Sequence, residues 1–189
     1  MSQFTYVATL TSIVLGLGIA KVLSGLGSLL LTRDQSRIYW VHALWGVNVL
    51  LYLLLDWWIL FRWHTRAEWT FFLFLFILLS PIILFLLAVL LFPDPLPDTT
   101  NPKEHFYRNH RWFFGLAATL PVLDGIDTLL KGWTHFLSQG ILYPFTILII
   151  FLFCIIAAST QSEHFHACFA VFFLVYMVLF ISINLLVLI

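Results

Sequence analysis

Residues 69–92 read WTFFLFLFILLSPIILFLLAVLLF, with no charged side chain anywhere in the run. A stretch of this length matches the roughly 20 residues that cross a hydrocarbon layer of about 30 Å as a helix. Lipid offers no hydrogen bonds, so the backbone must satisfy itself, and helices do that within one segment. Five more runs obey the same rule, at about 4–31, 39–62, 111–133, 136–160 and 165–189. The expected fold is therefore all-α, a single polytopic domain over 1–189 with six transmembrane helices. Composition agrees: 62% of residues are hydrophobic and 10% are charged, too few to solvate a globular surface of this size.

The connections near 32–38, 62–68 and 160–164 are short, so neighbouring helices run antiparallel. Residues 93–110, PDPLPDTTNPKEHFYRNH, form the one long connection and are expected to be the single sizeable aqueous segment. Three spans precede it and three follow, which permits a three-plus-three inverted repeat. The start, MSQFTYVATLTS, lacks a basic region before its apolar run, so the first span is expected to be retained rather than cleaved.

Arg33, Arg37, Lys103, Arg108 and Arg111 lie on the side of the 93–110 loop, side B; Arg62, Arg66 and Lys131 lie on side A. The excess on side B places that loop in the cytoplasm and both termini outside. The tryptophans fall mostly near span ends, as an aromatic belt does. Lys plus Arg equal Asp plus Glu at nine each, so there is no basic stripe for nucleic acid. Both cysteines, Cys154 and Cys168, sit in apolar runs, which excludes a disulfide framework.

The third and sixth spans carry almost nothing polar and are expected to face lipid, leaving a polar interior to the first, second and fourth. Gly16, Ala20, Ser24 and Ser28 recur every four residues and read as a close helix contact. Lys21 lies about 15 Å deep and Asp124 about 20 Å from the same side, at 1.5 Å per residue, so the two are the expected pair. Asp56 and Asp127 share a height, and Lys131 answers Asp127 one turn along its helix. Pro121 should kink the helix one turn before Asp124, and Gly125 opens space between the carboxylates. An unpaired charge at such depth costs several kcal/mol, so the cluster Lys21, Asp56, Asp124, Asp127 and Lys131 must pair or meet water. Two meanings stay open: an ion or proton pathway, or a lock that ties helices together.

The segments GLGIAKVLSGLGSLL, WVHALW, LDWW and HFYRNHRWFFG, with LDGIDTLLKG, resemble a family of small bacterial integral membrane proteins with no assigned activity. The resemblance covers residues 4–133 and leaves the last two spans outside it. It implies a bacterial inner-membrane location and transfers no binding or catalytic residue.

His105 and His110, with His164 and His166, fall near side B beside Glu104, Glu163 and Cys168 and form a candidate metal set. The dense histidine pairs of membrane diiron enzymes are missing, so carbonyls or headgroups are the competing partners. No cofactor is expected. No Ser–His–Asp spacing or phosphate loop appears, and Asp56, Asp124 and Asp127 lack the flanking residues of intramembrane aspartyl proteases, so an enzyme is not expected. The sequence thus points to a small channel or transporter for an ion, proton or small solute. The alternative is a non-catalytic scaffold, sensor or accessory subunit. Membrane lipid and a second copy or another membrane protein are the expected partners.

Overall fold

The structure, a computed structural model, describes residues 3–31, 39–66, 68–93 and 102–184. The described chain is helical throughout. Its elements are α1 (Gln3–Leu31), α2 (Trp40–Leu60, prolonged by a 3-10 turn over Phe61–Trp63) and α3 (Phe71–Leu91). Then come α4 (Pro102–Ala117), α5 (Thr119–Leu130), the short α6 (Trp133–Ser138), α7 (Leu142–Ser159) and α8 (Glu163–Asn184). Six stretches are long and apolar enough to cross a membrane, with α4 and α5 together making the fourth. The protein is a multi-pass helical membrane protein. Arg33, Arg37 and residues 94–101 of the long connection lie outside the described residues. The described cations divide evenly between the two ends, so the side B excess comes from those two arginines.

Two expectations about the layout are corrected. The second half of the 93–110 connection is not an aqueous loop: the chain is helical from Pro102, and His105, Phe106 and His110 are buried. Phe106, His110, Phe113 and Phe114 recur at spacings of three and four, so one face of this polar-looking segment packs inward. The third span is not lipid-facing either. α3 packs on α1, α2, α4 and α5, and 39% of its span is buried, against 17% for α7, the most lipid-exposed of the six. The sixth span, α8, leans on α2 and buries His166, Phe169, Ala170, Phe173 and Met177.

Small residues bring α1 close to its neighbours, but not along the expected row. Gly16, Ala20, Ser24 and Ser28 lie on the exposed face of α1. The buried row is Val7, Thr11, Leu15, Gly18, Val22 and Gly25. A Cβ on Gly18 would sit 2.8 Å from the Leu53 side chain, and one on Gly25 would run into the Phe92 ring. Phe92, just past the end of α3, also touches the space above Gly46 of α2, so its fully buried ring is wedged among three helices. The buried row holds only two glycines seven residues apart among larger side chains, so the more regular small-residue stripe is not the one that packs.

Gly25→Ala is therefore expected to destabilise by about 1–3 kcal/mol, the usual cost of overpacking. Ser24→Leu, on the exposed face, should leave the melting temperature in detergent nearly unchanged. Thermal unfolding of the two variants side by side checks the assignment, and a larger loss in Ser24→Leu would refute it.

Candidate functional site

Between α2, α3, α5, α7 and α8 lies a cavity of about 150 Å³ that Asp56, Asp124 and Asp127 all line. Asp56 sits seven residues before Trp63 on α2, and Asp124 six residues before the end of α5. At 1.5 Å per residue both lie about 10 Å inside the side A ends of their spans.

Each carboxylate is held by a donor from another part of the fold. Ser80 of α3 donates to Asp56 Oδ1 at 2.8 Å. Tyr143 of α7 donates to Asp124 Oδ2 at 2.9 Å, and its oxygen lies 2.7 Å from the Thr128 hydroxyl. Trp63 Nε1 donates to Asp127 Oδ1 at 3.0 Å, while Lys131 Nζ meets Asp127 Oδ2 at 2.5 Å. Lys131 also lies 5.2 Å from the Trp63 ring centre. Among the described residues neither Asp56 nor Asp124 is in an ion pair. The cavity thus holds more acidic groups than bases.

Two further polar atoms belong to it. Asn48 donates through Nδ2 to the Ala170 carbonyl at 3.0 Å, which ties α2 to α8 and leaves Oδ1 without a protein partner. Trp45 Nε1 also has no protein partner, although its ring packs among Phe113, Phe114, Phe169 and Phe173. Both side chains line the cavity and are 1% and 3% exposed. Prolines add backbone acceptors. Pro121 follows the break at Ala118 that separates α4 from α5, and it gives no N–H to the Ala117 carbonyl. Pro81, next to Ser80, does the same for Ile77. Ala117 and Ile77 both line the cavity.

Of the expected cluster, Asp56, Asp124, Asp127 and Lys131 come together at one end of the molecule. Lys21 is not among the cavity-lining residues, and Asp124 is held by Tyr143 instead of by Lys21. The reason is topological: α1 packs on α2 and α3, and α3 is the helix that meets α5. Gly125 lies against α7, where a Cβ would meet Ile147 at 3.5 Å, so it does not separate the carboxylates. Ser80, Tyr143, Trp63, Asn48 and Trp45 escape a reading based on charge. The Ser80–Pro81 pair inside an apolar span was the available signal, because it joins a hydroxyl to a freed carbonyl.

The side B histidines serve the backbone. His42 Nε2 donates to the Leu91 carbonyl at 2.9 Å, and His105 Nε2 to the Leu90 carbonyl at 3.1 Å, both in the last turn of α3. His166 Nε2 donates to Thr160 at the end of α7, 3.0 Å away, and His110 Nδ1 to Tyr107 at 2.5 Å. His164 and Cys168 are exposed. The candidate metal set is not assembled: among the described residues no three His, Cys, Asp or Glu side chains are grouped to hold a metal ion, and backbone carbonyls, the competing partners, take His105, His110 and His166. The chain's N-terminal halves of α4 and α8 are instead joined by Lys103 and Glu163, 2.5 Å apart, just outside the Tyr39–Tyr107 hydroxyl contact of 3.0 Å.

Compared with family models, curated proteins and solved structures, the chain matches none of them. The resemblance read from its segments therefore assigns no family, and the site must be judged on its geometry.

Lys131→Met removes the cation from Asp127 and should lower stability, by less than the roughly 3–5 kcal/mol of a fully buried pair because both side chains keep some exposure. The double change Lys131→Met with Asp127→Leu should recover much of the loss. A double-mutant cycle in detergent melting measures the coupling, and additive losses would contradict the pairing.

Proposed function

We propose that this protein is a small membrane transporter or channel whose cargo is a cation or a proton, taken up in the cavity between α2, α3, α5, α7 and α8. One observation carries the reading: Asp56 and Asp124 share a buried cavity with Asn48 Oδ1, and neither carboxylate has a cationic partner among the described residues. Carboxylates at this depth cost several kcal/mol unless a proton or a cation neutralises them. The cavity wall is mostly apolar, and the few polar groups set into it, the carboxylates of Asp56, Asp124 and Asp127 with the Ser80 hydroxyl and the Asn48 amide, suit a hard cation or a proton. The discontinuity at Ala118 has the same sense, since irregular backbone at membrane depth is tolerated where it lines a cavity.

In this reading Asp56 and Asp124 hold the cargo. Asp127, Lys131 and Trp63 form the partition between the cavity and side A, since Asp127 lines the cavity and Lys131 faces the other way. Lys21 serves packing or another contact, and not the path. Lipid surrounds the outer faces, and a second copy or another membrane protein is proposed against the exposed Gly16, Ala20, Ser24 and Ser28 face of α1. A bacterial inner membrane, with the 93–110 side cytoplasmic, belongs to the same proposal.

A second reading has a specific observation in its favour. All three carboxylates accept a hydrogen bond from another part of the fold, as a static lock in a scaffold or accessory subunit would arrange. The two readings diverge on one substitution. Asp124→Asn keeps the hydrogen bond to Tyr143 and removes the charge. As a cargo site it should abolish cation or proton flux in proteoliposomes while the melting temperature in detergent stays within a few degrees. Lys21→Met should leave flux intact. Wild-type vesicles that pass neither protons nor alkali cations, or an Asp124→Asn protein with normal flux, would sink the transport reading in favour of the lock.

A further inference from the structure

A second concavity, of about 590 Å³, opens on side A beyond the partition. Its lining includes Arg62, Arg66, Lys131, His64, His135 and Gln139, and none of the described lining residues is acidic. Three cations therefore line the space, of which Lys131 is paired with Asp127, a carboxylate that Trp63 also meets. The Arg66 guanidinium lies 5.9 Å from the Trp63 ring centre and reaches the Leu130 carbonyl only at 3.5 Å. Arg62 is in no ion pair among the described residues. Burial, followed by the charges of Lys131 and Arg62, holds the His135 imidazole below its usual range.

Chain geometry keeps these groups converged. Gly132 at φ 122° and Gly140 at φ 81° turn the chain on either side of α6, in a backbone region that side chains disfavour. That double turn folds His135 and Gln139 back toward Arg62 and Arg66, which follow directly on the end of α2. Lys131 closes the floor. The basin is placed at the ends of the second and fourth apolar spans, with Trp63 in its wall, at the level where tryptophans meet bilayer headgroups.

We propose that this basin is an anion-binding site for a phosphate group, bound by Arg62, Arg66 and Lys131 with Gln139 and His135 as neutral donors. Guanidinium forks match phosphate oxygens in pairs, and Lys131 adds a point charge. The phosphate can belong to a lipid headgroup or to a free anion in the side A solution. The site is independent of what the inner cavity carries, because it needs only the basin's own residues.

The test uses the full chain purified in detergent and reconstituted in bilayer discs of phosphatidylcholine, with and without phosphatidylglycerol. Native mass spectrometry reads retained lipid, and the melting temperature is followed against inorganic phosphate. The comparison is wild type against Arg62→Gln with Arg66→Gln, and against Arg108→Gln at the other end as a control. If the phosphate is a lipid's, wild type and the control should retain phosphatidylglycerol over phosphatidylcholine, and the double variant should lose about tenfold or more of that preference. If the phosphate is free, inorganic phosphate should raise the melting temperature saturably in wild type and control, with a midpoint at least about tenfold higher in the double variant. Either pattern supports the site and names its source. Equal retention of both lipids with no saturable phosphate effect overturns it, as does a lipid preference or a phosphate midpoint that the double variant leaves at the wild-type value. Should the double variant fail to fold, Arg66→Gln alone carries the same comparison, since that side chain is exposed.

Discussion

A carbonyl at the end of a helix inside a membrane has no water to turn to, and much of this fold is arranged around that shortage. The last turn of α3 ends within the bundle, and its Leu90 and Leu91 carbonyls are met by ring nitrogens from α4 and α2. The end of α7 is met in the same way by His166 of α8. An unmet carbonyl in such a place costs about 1–3 kcal/mol, so each histidine contributes on that scale. Each bond also joins one span to the next, and a cluster of buried imidazoles that invites a metal reading becomes a set of helix caps. Aromatic rings of Phe92, Phe106 and Phe114 fill the space around them at centroid distances of 5.1–5.5 Å.

The spans were legible in the sequence because hydropathy measures whether a helix tolerates lipid. Which face of a span is inside was not legible, because the interior of a membrane protein is about as apolar as lipid itself. α3 shows the difficulty: it is the most hydrophobic of the six and yet among the most buried. For the site, charge alone picked out Asp56, Asp124, Asp127 and Lys131, since so few charges occur within spans. Only the Lys131–Asp127 contact could be read as a partnership, being one helical turn apart. The rest of the cavity is made by Ser80, Tyr143, Trp63 and Asn48, which are ordinary residues brought in from distant parts of the chain. Lys21 was assigned to Asp124 on depth alone, and depth says nothing about which helix stands between two others.

Charge is sorted across a short distance at side A. On one face of Trp63 the charged groups of the lining are carboxylates; on the other they are guanidinium and ammonium, with two imidazoles beside them. The Lys131–Asp127 pair straddles that boundary, with one member on each side. Such an arrangement costs less than either group alone, because each charge neutralises the other where both begin to leave water. Trp63 lines both concavities, and the Lys131–Asp127 pair stands between them.

The wedge of Phe92 has a bearing on how the molecule is made. Its ring needs only Gly25 and Gly46, both earlier in the chain, and α1, α2 and α3 already touch one another in all three pairings. The mutual contacts of these three helices thus need no later residue, although the Leu90 carbonyl at the end of α3 is met only by His105 of α4. The later spans arrive to a finished surface: α4 meets α3, and α8 meets α2. The acidic cavity is completed only by the last span, because Phe169, Phe173, Tyr176 and Met177 of α8 line it, so an assembly that follows the order of the chain would close it last.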